Sequence, residues 1–160
     1  MAGEFPFSED CFKPIPWANV AIIASLWHKK CIDVMVESTQ QILSTKLSIK
    51  AQNLELHYLP GAYELPFAAQ TLYEQRPELD AIIAFGIVLK GETTHDASVV
   101  NSVVQGFASV MSEYKKPIIN EVIGVTDIAH AKARQEFKGK EAAFALSQLL
   151  NWQRELTYNN

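Results

Sequence analysis

Residues 80–96 read DAIIAFGIVLKGETTHD. Ala81 to Leu89 is an unbroken apolar run of nine residues, rich in Ile and Val and without polar alternation. Such a run is the signature of a strand covered on both faces. It ends in Lys90-Gly91, and Thr93-Thr94-His95-Asp96 then opens a stretch whose apolar positions are Val100, Val103, Val104, Phe107, Val110, Met111 and Tyr114. Those positions recur at helical spacing. A doubly covered strand that feeds a helix is the repeating unit of a parallel sheet with helices on both sides.

The same unit recurs on either side. Asn19 to Ser25 reads as a strand, followed by a helical stripe of Ile32, Met35, Val36, Thr39, Ile42, Leu43 and Leu47. Leu54 to Leu59 reads as another, and Leu65, Ala68, Ala69, Leu72 and Tyr73 mark a short helix ending before Pro77. Ile118 to Val125 is a fourth strand; a polar helix is expected near 127–136, then a last helix carrying Ala142, Ala143, Leu146, Leu149, Leu150 and Leu156. Four strands alternating with helices predict a three-layer α/β/α fold on a four-stranded parallel sheet. Residues 1–18 hold Pro6, Pro14 and Pro16 and are read as an N-terminal arm outside the core, leaving 19–160 as one domain.

The chain of 160 residues is long enough to bury a core without metal or disulfide staples, about two-thirds of its extended surface being lost on folding. Lys and Arg number 14 against 18 Asp and Glu, a net charge of −4, which argues against a dedicated nucleic-acid binder. No apolar run approaches the eighteen or so residues that cross a bilayer, and the opening MAGEFPFSED shows no secretory pattern, so a cytoplasmic protein is expected. Cys11 and Cys31 are too few for a disulfide framework or a zinc site.

Ligands of open α/β sheets bind beyond the carboxyl ends of the strands. Four segments lie there: Leu26-Trp27-His28, Pro60 to Glu64, Lys90 to Asp96, and Thr126-Asp127. In the third, a glycine and a helix start offer free backbone N–H groups to an anion, and the His95 imidazole is suited to proton transfer. The plainer alternative is that Thr93, Thr94 or Asp96 caps the helix and His95 lies on the surface. Lys132, Arg134, Lys138 and Lys140 place four cations within nine residues of an acidic chain, a pattern suited to phosphate. Trp27 is either core or a platform for a heterocycle, and Glu64 either a helix-start carboxylate or an acceptor for polyol hydroxyls.

Pro60-Gly61-Ala62-Tyr63-Glu64-Leu65-Pro66, Gly86 to His95, and Lys138-Gly139-Lys140-Glu141-Ala142-Ala143 together resemble the 6,7-dimethyl-8-ribityllumazine synthase family, in order and spacing, from about Asn19 to Leu156. The resemblance implies a flavodoxin-like sheet and the penultimate step of riboflavin biosynthesis. In that step 5-amino-6-(D-ribitylamino)uracil condenses with 3,4-dihydroxy-2-butanone 4-phosphate, with no metal or organic cofactor. The alternative is a non-catalytic flavin- or lumazine-binding paralogue using the same pocket. It also implies roles. Trp27 would stack on the pyrimidine, bordered by Val88, Leu89 and Lys90, while Ala62, Tyr63 and Glu64 would hold the ribityl chain. Gly91, Glu92, Thr93 and Thr94 would receive the phosphate, Arg134 would clamp it, His95 would shuttle protons, and Lys138 and Glu141 would complete the pocket.

Three departures from the family pattern stand out. Leu26 replaces a frequent Arg, and Asn120 stands where many members place a Phe that stacks on the pyrimidine from a neighbouring subunit. Only Gln135, Glu136 and Phe137 separate Arg134 from Lys138, where shell-forming relatives carry a longer turn. Pentamers or stacked pentamers are therefore expected rather than a 60-subunit shell.

Overall fold

Strands Val20–Ser25 (β1), Leu54–Leu59 (β2), Ala81–Leu89 (β3) and Ile118–Val125 (β4) form one sheet in the computed structural model, which describes residues 8–158. All pairings are parallel and the order is β2-β1-β3-β4. This is the flavodoxin-like arrangement, in which the chain winds outward from β1 in both directions.

Among the described residues five α-helices flank the sheet: Lys29–Thr45 (α1), Leu65–Gln75 (α2), His95–Tyr114 (α3), Ile128–Lys132 (α4) and Gln135–Tyr158 (α5). Successive strand residues face opposite sides, so each strand supplies two cores. Ile22, Ile83 and Phe85 pack with Ile32, Met35 and Leu43 of α1 and Ala142 and Leu146 of α5. Ile23, Ile82 and Ala84 pack with Leu65 and Ala69 of α2 and Val103 and Phe107 of α3. Full burial of each Leu, Ile or Phe contributes about 1.5–3 kcal/mol, which explains why the central strands carry almost nothing polar. On the first face α5 passes close to α1 at Gly139, where a Cβ would stand 2.7 Å from Ser38 Oγ and 2.9 Å from the Met35 carbonyl.

Two expectations change. Part of the proline-rich segment belongs to the core: Ile15 and Ala18 are fully buried, and the Ile15 N–H donates to the Leu47 carbonyl at 2.9 Å. Ser147 Oγ of α5 holds both the N–H and the carbonyl of Lys13. The polar helix near 127–136 is not one helix. Asp127 caps α4 by accepting the Ala129 N–H at 2.8 Å, α4 ends after one turn, and Arg134 sits in the break before α5. Gln135 to Phe137, which separate Arg134 from Lys138, belong to α5 as its first turn.

Candidate active site

The winding direction reverses between β1 and β3, and a cleft of about 570 Å³ opens at their carboxyl ends. Trp27 and His28 enter it from the β1–α1 turn, Ala62, Tyr63 and Glu64 from the turn before α2, Val88 and Leu89 from the end of β3, and His95 from the start of α3. Trp27 is 70% exposed and Tyr63 65% exposed. Large aromatics left open on either side of a cleft are free to stack on a flat ligand.

Local chain geometry explains the convergence. His28 takes the left-handed conformation, φ 60° and ψ 34°, which turns the chain from β1 into α1 and leaves Trp27 outside the core. At Gly61 a Cβ would lie 3.0 Å from Glu64 Oε2 and 3.5 Å from Trp27 Cδ1, so the missing side chain lets carboxylate and indole close over one point of backbone. Pro66 in the first turn of α2 fixes the start of that helix just behind Glu64.

Thr94 precedes α3 without a side-chain capping bond, and Thr93 Oγ1 meets the His95 N–H only at 3.4 Å. The capping alternative is therefore poorly developed, and the helix start keeps backbone donors available to an anion. Lys90, Gly91, Glu92, Thr93 and Thr94 are all exposed in the connecting loop. Lys90 lines a second hollow of about 300 Å³, with Asp96, Val100 and Thr126. Neither the Glu64 carboxylate nor the His95 ring has a side-chain partner among the described residues.

Four of the expected site residues lie elsewhere. Asn120 is inside β4, exposed, with its Oδ1 accepting the Val122 N–H at 3.0 Å. Arg134 is exposed, and the Lys138 N–H donates to its carbonyl at 2.9 Å, so the two side chains sit four apart on one helical face. Lys138 is not the free cation that the charge run suggested. Its Nζ lies 2.8 Å from Glu141 Oε2 and 3.1 Å from Glu121 Oε2.

Glu121 went unnoticed in the sequence reading. Strand alternation places it on the α5 side with Ile119 and Ile123, and it is only 5% exposed. Burial pushes its carboxyl up to about 7, against the pull of Lys138, with Glu141 adding repulsion. Burial works to depress the Lys138 ammonium, but its hydrogen bond to Glu141 and the charge of Glu121 outweigh this and hold it above the ordinary lysine value. Its one trace in the sequence is that Glu121 is the charged residue in the strand IINEVIGV, which does not reveal its partner. Among the described residues, no cluster of three or more His, Cys, Asp or Glu could hold a metal ion, and no helix is long and apolar enough to cross a membrane.

Residues 18–154 match the family model of 6,7-dimethyl-8-ribityllumazine synthase. The chain is 35% identical over 140 residues to the 6,7-dimethyl-8-ribityllumazine synthase of Xanthomonas oryzae pv. oryzae, covering 85% of this chain and 90% of that one. With the protein of the same name from Vesicomyosocius okutanii subsp. Calyptogena okutanii it shares 31% identity over 156 residues, 92% and 93% of the two chains.

Proposed function

The chain belongs to the 6,7-dimethyl-8-ribityllumazine synthase family, and from that premise we propose how its residues divide the reaction. The enzyme condenses 5-amino-6-(D-ribitylamino)uracil with 3,4-dihydroxy-2-butanone 4-phosphate to form the lumazine, a step of riboflavin biosynthesis. The cleft at the switch point carries the assignment, because it brings together an open indole, a carboxylate without a partner and a histidine at a helix start.

Trp27 stacks on the pyrimidine, with Val88, Leu89 and Lys90 along its edge. Glu64 accepts ribityl hydroxyls, helped by Ala62 and Tyr63. Gly91, Glu92, Thr93 and Thr94, ahead of α3, receive the phosphate of the ketone. His95 takes protons from the attacking amine and then from the carbon next to the one bearing the phosphate ester, and passes them to the departing water and phosphate as imine formation, phosphate elimination and ring closure proceed. Holding amine and ketone together supplies most of the acceleration, and proton transfer adds about a hundredfold or more.

Arg134 clamps the phosphate, with Lys138 and Glu141 beside it and Asn120 toward the pyrimidine, and these residues reach the cleft of an adjacent subunit. Two observations support a shared pocket. Lys138 and Glu141 are on the α1/α5 side of the sheet, whereas Ala62 and Val88 of the same chain's cleft pack on the α2/α3 side. Phe67 of α2, beside the cleft, is 74% exposed in the single chain and available to cover a neighbour. We read the assembly as a pentamer or stacked pentamers and the compartment as the cytoplasm. Light scattering is expected to return a multiple of the 17.9 kDa chain, and a stable monomer contradicts the shared pocket.

The catalytic assignment is tested by mixing protein with both substrates and following lumazine absorbance. The expected result is turnover above the spontaneous rate, and no such excess overturns it. In Arg134→Ala, loss of a charge-assisted contact is expected to raise KM for the phosphorylated ketone by about 10- to 100-fold. KM for the uracil should stay unchanged; equal rises in both would remove Arg134 from the clamp.

A further inference from the structure

Glu121 takes no part in the cleft of its own chain, yet it is a buried acid in the middle of an apolar strand, 3.1 Å from Lys138 Nζ. Burying a carboxylate is costly even when a cation is beside it, so its place in this strand points to a task. An ammonium has three N–H donors. Glu121 and Glu141 engage Lys138 from two directions, leaving about one donor for anything else. With both carboxylates ionised the cluster carries one net negative charge, and with one of them protonated it is neutral. Arg134, one helical turn before Lys138, has no ion-pair partner among the described residues. A phosphate drawn to Arg134 therefore meets a neighbouring cation that is already held.

We propose that Glu121 is a positioning residue that links phosphate recognition to proton uptake, competing with the substrate phosphate for the Lys138 ammonium and yielding it when protonated. The proposal rests on the assignment of Arg134 and Lys138 to the ketone phosphate. Its pH range follows from burial, which brings the Glu121 carboxyl to about 7. The charged groups acting on it are Lys138 and Glu141, both from α5. β3 places Phe85 beside it in register, and α3 packs on the other side of the sheet. On α4, His130 is turned to Thr126 Oγ1 at 3.3 Å, and the charge of Lys132 acts on Cys31.

The test is the pH dependence of KM for 3,4-dihydroxy-2-butanone 4-phosphate between pH 6 and 8 in wild type and Glu121→Gln, with inorganic phosphate as a competing ligand. Where only the protonated form is competent, the competent fraction near pH 8 is about one-tenth, so Glu121→Gln should bind the ketone phosphate about tenfold more tightly than wild type at pH 8 and almost equally at pH 6. Ionisation of the substrate phosphate near pH 6 is common to both proteins and cancels in the ratio. The kcat at saturation and KM for the uracil should not move, which a purely structural ion pair would not produce. A ratio that stays flat with pH overturns the proposal. Arg134→Ala is run alongside: if it leaves KM for the ketone phosphate unchanged, the phosphate assignment itself has failed. Should Glu121→Gln fold poorly, wild type decides alone with sulfate, a dianion that does not titrate in this range: its inhibition constant should weaken between pH 7 and 8, and a constant value overturns the proposal.

Discussion

The cleft at the ends of β1 and β3 and the charged cluster between β4 and α5 are built on opposite principles. In the cleft, Trp27 and Tyr63 stand open, and Glu64 and His95 have no side-chain partners. In the cluster, three charged groups satisfy one another behind the edge strand, and Lys138 is only 19% exposed. Unpartnered groups that remain solvated contribute little to folding and stay available to a ligand. Paired groups that are buried are tied to the fold, and changing one of them exposes the desolvation cost of the others. The cleft thus offers its groups without competition, whereas the cluster holds the Lys138 ammonium against any ligand that would take it.

The largest expected effect breaks this contrast directly. Lys138→Met removes the cation and leaves Glu121 buried next to Glu141, which should cost about 3 kcal/mol of stability at pH 8. The cost should shrink toward pH 6, because a protonated Glu121 no longer needs the cation. The sign follows from linkage. Glu121 goes from an ordinary 4.5 to about 7 in the folded chain. The folded state therefore holds a proton that the unfolded state has released, and the contribution of this group to stability falls as pH rises between those values. Glu64→Gln, the comparable change in the cleft, should stay within about 0.5 kcal/mol at either pH. Urea midpoints for the two variants, at one protein concentration, make the comparison. Equal losses would mean that the cluster is no more committed to the fold than the cleft.

The cleft was legible in the sequence and the cluster was not, for a physical reason. Trp27, Glu64 and His95 each follow a strand whose apolar pattern is local, and the parallel topology brings all strand ends to one edge. The Glu121–Lys138 pair joins residues from different elements, and no local period reports such a contact. In the sequence Lys138 is therefore one of four cations within nine residues, with nothing to mark its partner. Ile15 was hidden in the same way, since a single apolar residue among prolines has no periodicity, and only its docking beside Leu47 reveals it as core. Gln135 to Phe137 are short against the turn of shell-forming relatives, and length alone does not show that they are helical; as the first turn of α5 they set Arg134 and Lys138 on one face.

A smaller effect concerns Ser25, the last residue of β1. Strand alternation sets it on the same side as Ala21 and Ile23, toward α2 and α3. Its Oγ is buried and has no hydrogen-bond partner among the described residues. An unsatisfied buried hydroxyl costs about 1–3 kcal/mol, part of which the alanine variant recovers. Ser25→Ala should therefore raise stability by up to about 1 kcal/mol, seen as a small upward shift of the urea midpoint, with both KM values unchanged. A raised KM for the uracil without any gain in stability would show that the hydroxyl finds its partner in bound substrate. In that case Ser25 belongs with Glu64 and His95, among the groups left unpaired in the free chain because the ligand completes them.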